Sequence, residues 1–518
     1  MADRFYITTP IYYPNGEPHL GSVYTTVICD VLARYHRLLG DDTYFLTGTD
    51  EHGTKMAKAA AEANAEPQAL ADKYSDIFKD VWRELEISND DFIRTTEPRH
   101  KEAVTKIVQR MLDSGDIYLG GYEGWYDEGQ EQFVTETEAK LAEFKSAISG
   151  KPLVRYSEPT YFFKLSKYVP KLIGYIEQHP HFIVPETRRN EVLSKLRAGV
   201  DDLSISRATL KWGIPMPNDP AHVIYVWIDA LTNYITALGY PPERDDASLF
   251  KKFWPGTHVI GKDILWFHTV YWPAMLMSLD LPLPMTVAAH GWWVRGGKKA
   301  GKSTGGITTM PEIRDYASKY TFDAIRYHLL RAAPFGSDLE WSDVELEKSF
   351  NELANVVGNC LNRTVKMIGR YRARAIPACV EPLDDLDRQL IAKTDAFADE
   401  LKAAYARLDL QAAAMLPVEL ARATNGYIDA TEPFKLAKDP TKSDRLDTVL
   451  HLSARAIRKA LIGLLPILPN KATEGLFQLN AILEGQTFDS LMSREPSVGH
   501  VIGEGQPLFP KIEKDKEA

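Results

Sequence analysis

Three stretches of the chain combine residue types and spacing suited to chemistry, two of them to chemistry on phosphates. The first is His19-Leu-Gly-Ser22. Pro14, Asn15, Gly16 and Pro18 force a turn before it, and Leu20, Val23, Tyr24, Val27, Ile28, Val31 and Leu32 follow at helical spacing, with Gly40 where a helix would stop. Arg4 to Thr8, ahead of the turn, is β-prone, so the order is strand, turn, helix, with His19 and Gly21 at the helix N-terminus. Such an end carries unpaired N–H groups and a positive dipole, a natural seat for phosphate. Gly21 admits a flat or anionic ligand close to the backbone, and His19 can donate to a phosphate oxygen; by itself, His-x-Gly fits a solvated loop histidine equally well.

The second stretch is Asp50-Glu51-His52, where a β-prone run from Tyr44 enters a polar loop. Open α/β sheets place ligands at the carboxyl ends of their strands. The third, Gly296-Gly-Lys-Lys-Ala-Gly-Lys-Ser303, fits the pattern G-x-x-x-x-G-K-[ST] letter for letter. A P-loop NTPase would cradle phosphates there with backbone amides and a lysine, but that motif needs a helix directly after Ser303. Thr304-Gly-Gly306 and Pro311 resist one, and no apolar run ending in Asp supplies a Walker B partner. The P-loop reading stands as the alternative.

The elements that must position these residues follow from the rest of the chain. Helical segments are expected over about Glu66 to Leu85 and His100 to Ser114. From Ile117 to Met216, glycines and aromatics (Gly120, Gly121, Gly124, Tyr118, Tyr122, Trp125, Tyr126) suggest short strands and turns in an insertion with its own small core. β-rich texture returns at His222 to Ile228, Thr257 to Gly261 and Met285 to His290. Strands alternating with helices give a parallel sheet interrupted by an insertion. Past Trp341, Leu353, Val356, Val357, Cys360, Leu361, Val365 and Ile368 form one apolar helix face, opposite Asn355, Asn359, Asn362, Arg363 and Lys366. Further amphipathic runs at Leu386 to Leu408, Gln411 to Ile428 and Arg445 to Leu464 complete a helical bundle. Arg363, Lys366, Arg370, Arg372 and Arg374 crowd a short stretch of a chain whose net charge is −10, which favours a phosphate-bearing partner there.

At 518 residues, 44% hydrophobic and 25% charged, the chain has the composition of a soluble globular protein of several domains. The acidic balance argues against non-specific DNA binding and leaves room for RNA met by a local basic face. Three dispersed cysteines, Cys29, Cys360 and Cys379, offer neither a disulfide framework nor a cysteine zinc site. No signal peptide and no bilayer-length apolar run is present, so a cytoplasmic protein with no membrane partner is expected.

Taken together, His19-Leu-Gly-Ser22 resembles the His-Ile-Gly-His signature of class I aminoacyl-tRNA synthetases, and Lys299-Ala-Gly-Lys-Ser303 resembles their mobile Lys-Met-Ser-Lys-Ser loop. Thr8-Thr-Pro-Ile-Tyr-Tyr13, Phe45-Leu-Thr-Gly-Thr-Asp-Glu-His-Gly53, Asp91-Phe-Ile-Arg-Thr-Thr96, Asp202-Leu-Ser-Ile-Ser-Arg207, Tyr225-Val-Trp-Ile-Asp-Ala230, Ile260-Gly-Lys-Asp-Ile264 and Arg326-Tyr-His-Leu-Leu330 are all similar to the methionyl-tRNA synthetase family, in order along essentially the whole chain. The 280 residues from His19 to Lys299 leave no room for the large editing insert of the isoleucyl, valyl and leucyl enzymes. No cysteine lies between Ile117 and Met216, so the chain resembles the zinc-free branch and no structural zinc is expected.

This resemblance implies an α/β Rossmann-type parallel-sheet catalytic domain (1–116 and 217–295), interrupted by a connective insertion (117–216). It further implies a signature-loop and stem-contact region (296–350) and an α-helical anticodon-binding domain (351–518). It implies ATP, with Mg²⁺ as its substrate complex, methionine, and initiator and elongator methionine tRNA as substrates, with methionyl-adenylate between the two steps. His19, Lys299 and Lys302 are implied as catalytic, and His19, Gly21, Ser22, Asp263, Lys302 and Ser303 as ATP-binding. Asp50 is implied to hold the methionine ammonium group. The methionine pocket is implied to comprise Ile11, Tyr13, Val226, Trp227, Ala230, Leu231, Tyr234, Ile264, Phe267, His268 and Trp272, whose aromatic edges suit a polarisable thioether. Asn359, Arg363 and Phe434 are implied as anticodon contacts.

Some positions depart from the family pattern. Ser22 replaces the second signature histidine, Ala300-Gly301 replaces Met-Ser in the loop, and Glu432-Pro-Phe434 replaces the usual Pro-Trp. Phe434 can still stack on a base, without an indole N–H. A catalytically silent tRNA-binding relative is a second alternative. The chain ends without the appended dimerisation domain of some relatives, and a monomer is expected.

Overall fold

The β-prone N-terminal residues form the first strand of the computed structural model, which describes residues 3–128, 132–134, 136–147, 149–241, 248–295, 298–299 and 308–509. Strand β1 (Arg4–Thr8) buries Tyr6, Ile7 and Thr8. The Pro/Gly turn delivers helix α1 (Leu20–Leu39), whose stripe of Leu20, Val23, Val27, Ile28 and Val31 is wholly buried, and which stops at Gly40 as expected. Next come β2 (Asp42–Thr49), α2 (Thr54–Glu62), α3 (Pro67–Glu84), β3 (Asp91–Arg94) and α4 (Pro98–Asp113). Helix α2 leaves no periodic trace in the sequence. It buries only Met56 and Ala60, too few apolar positions to set a period.

The 117–216 segment supplies β4 (Ile117–Asp127), β5 (Gln132–Val134), α5 (Glu136–Leu141), β6 (Val154–Phe163), α6 (Leu165–Gln178), β7 (Ile183–Val184), α7 (Glu186–Arg197), β8 (Leu203–Ser204), β9 (Ser206–Arg207) and β10 (Pro215–Met216). An antiparallel sheet, β5-β4-β6-β8, accounts for the expected strand texture. Its central ladder is long, running from Ile117 opposite Phe163 to Tyr126 opposite Val154 straight through the glycines. The separate small core does not hold for the second half of the segment. There β7 joins the main sheet parallel to a later strand, and Phe163, Leu165, Leu172, Phe182 and Ile183 share one core with Ile260 and Trp272.

Strand β11 (Asp219–Ile224) pairs antiparallel with β9 and β10 and ends before Val226. Val226-Trp227-Ile228, expected as strand, begin helix α8 (Val226–Leu231), which runs on through α9 (Asn233–Thr236). After α10 (Ser248–Phe253) come β12 (Thr257–Gly261), a π-helical turn at Phe267–Tyr271, α11 (Trp272–Ser278) and β13 (Thr286–His290). The main sheet has six strands in the order β3-β2-β1-β12-β13-β7, all parallel. Strand order reverses between β1 and β12, and such a switch point opens a crevice at the carboxyl ends.

Apart from the last turns of α1, all of this lies in one compact unit, Asp3–Ala33 with Asp42–Met310; Arg34–Asp41 and the described residues from Pro311 form a second. The second unit is helical: α12 (Met310–Tyr320), α13 (Phe322–Arg331), α14 (Asp343–Glu352), α15 (Asn359–Arg372), α16 (Asp385–Ala406), α17 (Leu410–Thr431), α18 (Pro433–Leu436) and α19 (Ser443–Leu464), with two shorter helices beyond. Leu353, Val357, Cys360, Leu361, Val365 and Ile368 form the buried face expected of them. The basic crowd beside them is less available than its composition suggests. Arg363 pairs with Asp429, Arg372 with Asp447 and Arg374 with Glu504. Among the described residues, no helix is long and apolar enough to cross a membrane.

Candidate active site

The carboxyl ends of β1, β2, β12 and β13 enclose a cavity of about 590 Å³. Ile11 and Tyr13 line it after β1, Asp50 after β2, and Asp263, Ile264 and His268 after β12. Trp227, Ala230, Leu231 and Tyr234 come from α8 and α9, and His19, Gly21 and Ser22 from the start of α1.

The start of α1 differs from an open phosphate seat. The Leu20 N–H donates to the Thr308 carbonyl at 3.1 Å, and the Gly21 N–H donates to His19 Nδ1 at 3.1 Å. His19 N–H donates to Ser22 Oγ at 3.0 Å, while that hydroxyl donates to the His19 carbonyl at 2.8 Å. His19 thus caps its own helix, and Ser22 closes the turn. The first two N–H groups of the helix are therefore satisfied within the protein, Leu20 by a carbonyl and Gly21 by the His19 ring. Acceptance at Nδ1 places the ring proton on Nε2, so the imidazole is a fixed donor.

Of Asp50, Glu51 and His52, only Asp50 lines the cavity. Glu51 is wholly buried, gripped by Arg94 through Nε at 2.6 Å and Nη2 at 2.9 Å and by the hydroxyls of Thr49, Ser75 and Thr96. A buried carboxylate needs this many donors. His52 donates from Nδ1 to Asp229 at 2.7 Å. Gly53, at φ +93°, then turns the chain into α2 through a conformation that a side chain would resist. Asp50 is aimed by its two neighbours, which serve structure.

The side wall is aromatic. Trp227 stacks on Phe267 with ring centroids 3.7 Å apart and planes 5° from parallel. The Tyr234 hydroxyl donates to His268 Nε2 at 2.7 Å, and His268 Nδ1 donates to the Ile264 carbonyl at 2.9 Å. Burial holds the His268 pKa down at about 4, so the ring is neutral and accepts from tyrosine. Tyr234 also stacks on His258 at 4.0 Å; the Trp272 indole N–H donates to His258 Nε2 at 3.2 Å, and Thr8 meets its Nδ1 at 2.8 Å. Burial pushes His258 well below the ordinary histidine range. Val226, Phe267 and Trp272 do not line the cavity; Phe267 backs Trp227, and the wholly buried Trp272 stands behind Tyr234.

The far wall was missed by sequence reasoning: His290, Gly291, Trp292 and Trp293, with Tyr24 and Thr25 from α1. His290 Nε2 meets Thr25 Oγ1 at 2.7 Å, and the ring sits edge-on to Tyr24 at 4.9 Å. The Trp292 indole donates to Asp263 Oδ1 at 3.0 Å, and a Cβ on Gly261 would meet that oxygen at 2.6 Å. The signal was present, because His290 ends an expected strand just as Asp50 follows one. Lys55 was also missed; its ammonium sits over the Tyr13 ring at 4.1 Å.

Lys298–Lys299 pair antiparallel with Val294–Arg295, so backbone in the middle of the Gly296–Ser303 motif is extended, unlike the concave loop that cradles phosphate. Lys302 and Ser303 lie outside the described residues, as do Ala300 and Gly301. In the helical unit, Asn359 is exposed and one turn from Arg363, which reaches Asp429 at 2.6 Å near the end of α17. Glu432 leads from there directly into α18, where Phe434 is 47% exposed.

The family model "tRNA synthetases class I (M)" matches residues 5–141 and 136–365. The methionine–tRNA ligase of Caldanaerobacter subterraneus subsp. tengcongensis is 44% identical over 525 residues, 100% of this chain and 80% of that protein. That of Bacillus subtilis is 42% identical over 529 residues, 99% of this chain and 79% of its own length. The crystal structure of Mycobacterium tuberculosis methionyl-tRNA synthetase bound by methionyl-adenylate superposes with a TM-score of 0.93 at 38% identity, covering 98% of this chain and 100% of that one. A family match running from residue 5 to residue 365, on a parallel sheet whose switch point holds the cavity, makes the chain a member of the methionine-type class I tRNA synthetases.

Proposed function

We infer that the chain is a methionine–tRNA ligase: it activates methionine with ATP as methionyl-adenylate and passes the methionyl group to methionine tRNA. The observation that carries this reading is the switch-point cavity, with one carboxylate at the end of β2, an aromatic wall on α8 and α9, and His19 and Asp263 on the sheet side. The Mycobacterium tuberculosis protein of the same fold holds methionyl-adenylate.

The methionine carboxylate oxygen attacks the α-phosphorus of ATP, the bond to the β-phosphate oxygen breaks, and pyrophosphate leaves. A terminal ribose hydroxyl of tRNA then attacks the acyl carbonyl, and AMP leaves. Neither step uses an enzyme nucleophile, so the protein contributes position and charge. Asp50 takes the ammonium group, and Trp227, Tyr13, Tyr234, His268, Ile11, Ala230, Leu231 and Ile264 enclose the thioether. Val226, Phe267 and Trp272 support that wall from behind. His19 Nε2–H donates to phosphate oxygens, and Asp263, steadied by Trp292, accepts from a ribose hydroxyl. Lys299 and Lys302 supply cations from the signature loop, with Ser303 beside them; Gly21 lets the nucleotide approach, and Ser22 keeps His19 in place. ATP enters with Mg²⁺.

Residues 1–116 and 217–295, with β7 added to their sheet, make up the catalytic domain, 117–216 the connective insertion, 296–350 the stem-contact region and 351–518 the anticodon domain, where Asn359, Arg363 and Phe434 read initiator and elongator tRNA. The protein works as a cytoplasmic monomer, without structural zinc and without a membrane partner. Methionine-dependent exchange of pyrophosphate into ATP, followed by charging of methionine tRNA, tests the reading. Methionine-independent ATP hydrolysis would favour the P-loop alternative; tRNA binding without exchange would favour the silent relative.

A further inference from the structure

Helices α8 and α9 carry Trp227, Ala230, Leu231 and Tyr234 into the cavity, yet they are only six and four residues long. Isolated helices need about 12–15 residues to hold in water, so tertiary anchors must set this wall. Trp227, Ala230 and Leu231 share one face, at i, i+3 and i+4, and Asp229 points away from it into the interior, 1% exposed. Both of its oxygens are taken. His52 Nδ1 donates to Oδ2 at 2.7 Å, and His100 Nε2 donates to Oδ1 at 2.8 Å. His100 also meets Thr236 of α9 at 2.7 Å through Nδ1, which joins α8 to α9 from behind.

His52 lies two residues after Asp50 in the loop that leaves β2. That loop is clamped again by Trp212, whose indole donates to the Glu51 carbonyl at 2.6 Å and whose ring sits edge-on to His52 at 5.4 Å. One buried carboxylate therefore connects the loop bearing Asp50 to the helices bearing the aromatic wall. We propose that Asp229, through His52, is a positioning residue that fixes the distance between the ammonium seat and the thioether seat, and so sets selectivity for methionine. The proposal rests on the ligase reading above.

Three variants test it: His52→Phe, which keeps a ring against Trp212 but removes the donor, Asp229→Asn, and the double variant. Exchange kinetics are read with methionine and with norleucine, its isostere carrying CH₂ in place of sulfur. Each single variant should raise the methionine KM by about tenfold with kcat much less affected, the signature of lost uniform binding. The ATP KM should stay within about twofold, and preference over norleucine should narrow. The double variant should be no worse than Asp229→Asn alone, because that change already cuts the link that His52 makes. Folded variants with unchanged methionine KM and norleucine preference overturn the proposal, as do effects that add. If Asp229→Asn fails to fold, His52→Phe carries the test; if neither folds, the network is a folding anchor only and the proposal falls. Wild-type protein without methionine-dependent exchange would instead refute the ligase reading itself.

Discussion

His19 combines two tasks in one ring. Its Nδ1 caps the Gly21 N–H, and Nε2 carries the proton proposed to meet phosphate. His19→Asn separates them, because asparagine is a good helix cap but cannot place a donor where the imidazole edge lies. The expected result is unchanged thermal stability with exchange slowed by ~10²–10³, the usual loss for a deleted transition-state donor. A matching fall in melting temperature would make the cap the main role. Lys302→Ala should depress adenylate formation by a similar ~10²–10³ and leave methionine affinity nearly intact, since a cation that meets the phosphates only as charge develops stabilises the transition state and not the ground state. A P-loop lysine would behave otherwise: nucleotide affinity would collapse, together with any methionine-independent ATP turnover. Measuring ATP turnover with and without methionine, in wild type and variant, separates the two.

Elements show where local preference yields. Val226-Trp227-Ile228 are β-branched and aromatic, so they read as strand by propensity, and the helix they form is held by Asp229 and two histidines from other elements. Helix α18 is a short platform for Phe434. Removing an aromatic stacking surface typically costs ~1–3 kcal/mol per base, so Phe434→Ala should weaken tRNA charging and leave pyrophosphate exchange unchanged. Equal loss in both assays would make Phe434 structural. The 117–216 insertion is expected to fold without metal. Elemental analysis should find no stoichiometric zinc and a chelator should not slow exchange, whereas one tightly held zinc per chain would refute this.

For the whole molecule, the catalytic unit hides two histidines, His258 and His268, as neutral rings whose hydrogen bonds depend on that state. Burial lowers both, His268 from 6.5 to about 4. The unfolded chain therefore binds more protons between those values. This stability is fully present above pH 6.5 and is lost as pH falls towards and through 4. The His268 shift corresponds to ~3 kcal/mol by the acid end of that window. Denaturation followed by tryptophan fluorescence should show stability falling from pH 7 to pH 4.5, less steeply in His268→Gln. An unchanged slope in the variant would mean that His268 titrates normally.

The alternation of strands with helices, the parallel sheet, the helical C-terminal region, His19 at a helix start and Asp50 and Asp263 beyond strand ends are legible in the sequence, because periodicity and turn chemistry are local and strand ends predict where ligands sit. Tertiary structure alone decided which polar residues face the cavity. Asp50, Glu51 and His52 are consecutive and chemically alike as candidates, yet Arg94, from β3, takes Glu51, and Asp229, from α8, takes His52, leaving Asp50 to line the cavity. The same holds for Trp227 and Trp272, one a wall and the other core, and for Arg363, part of whose charge is met by Asp429. A residue's type says what it can bond to. Which partner reaches it first depends on elements far apart in the chain, and burial makes that choice binding by penalising every polar group left without one.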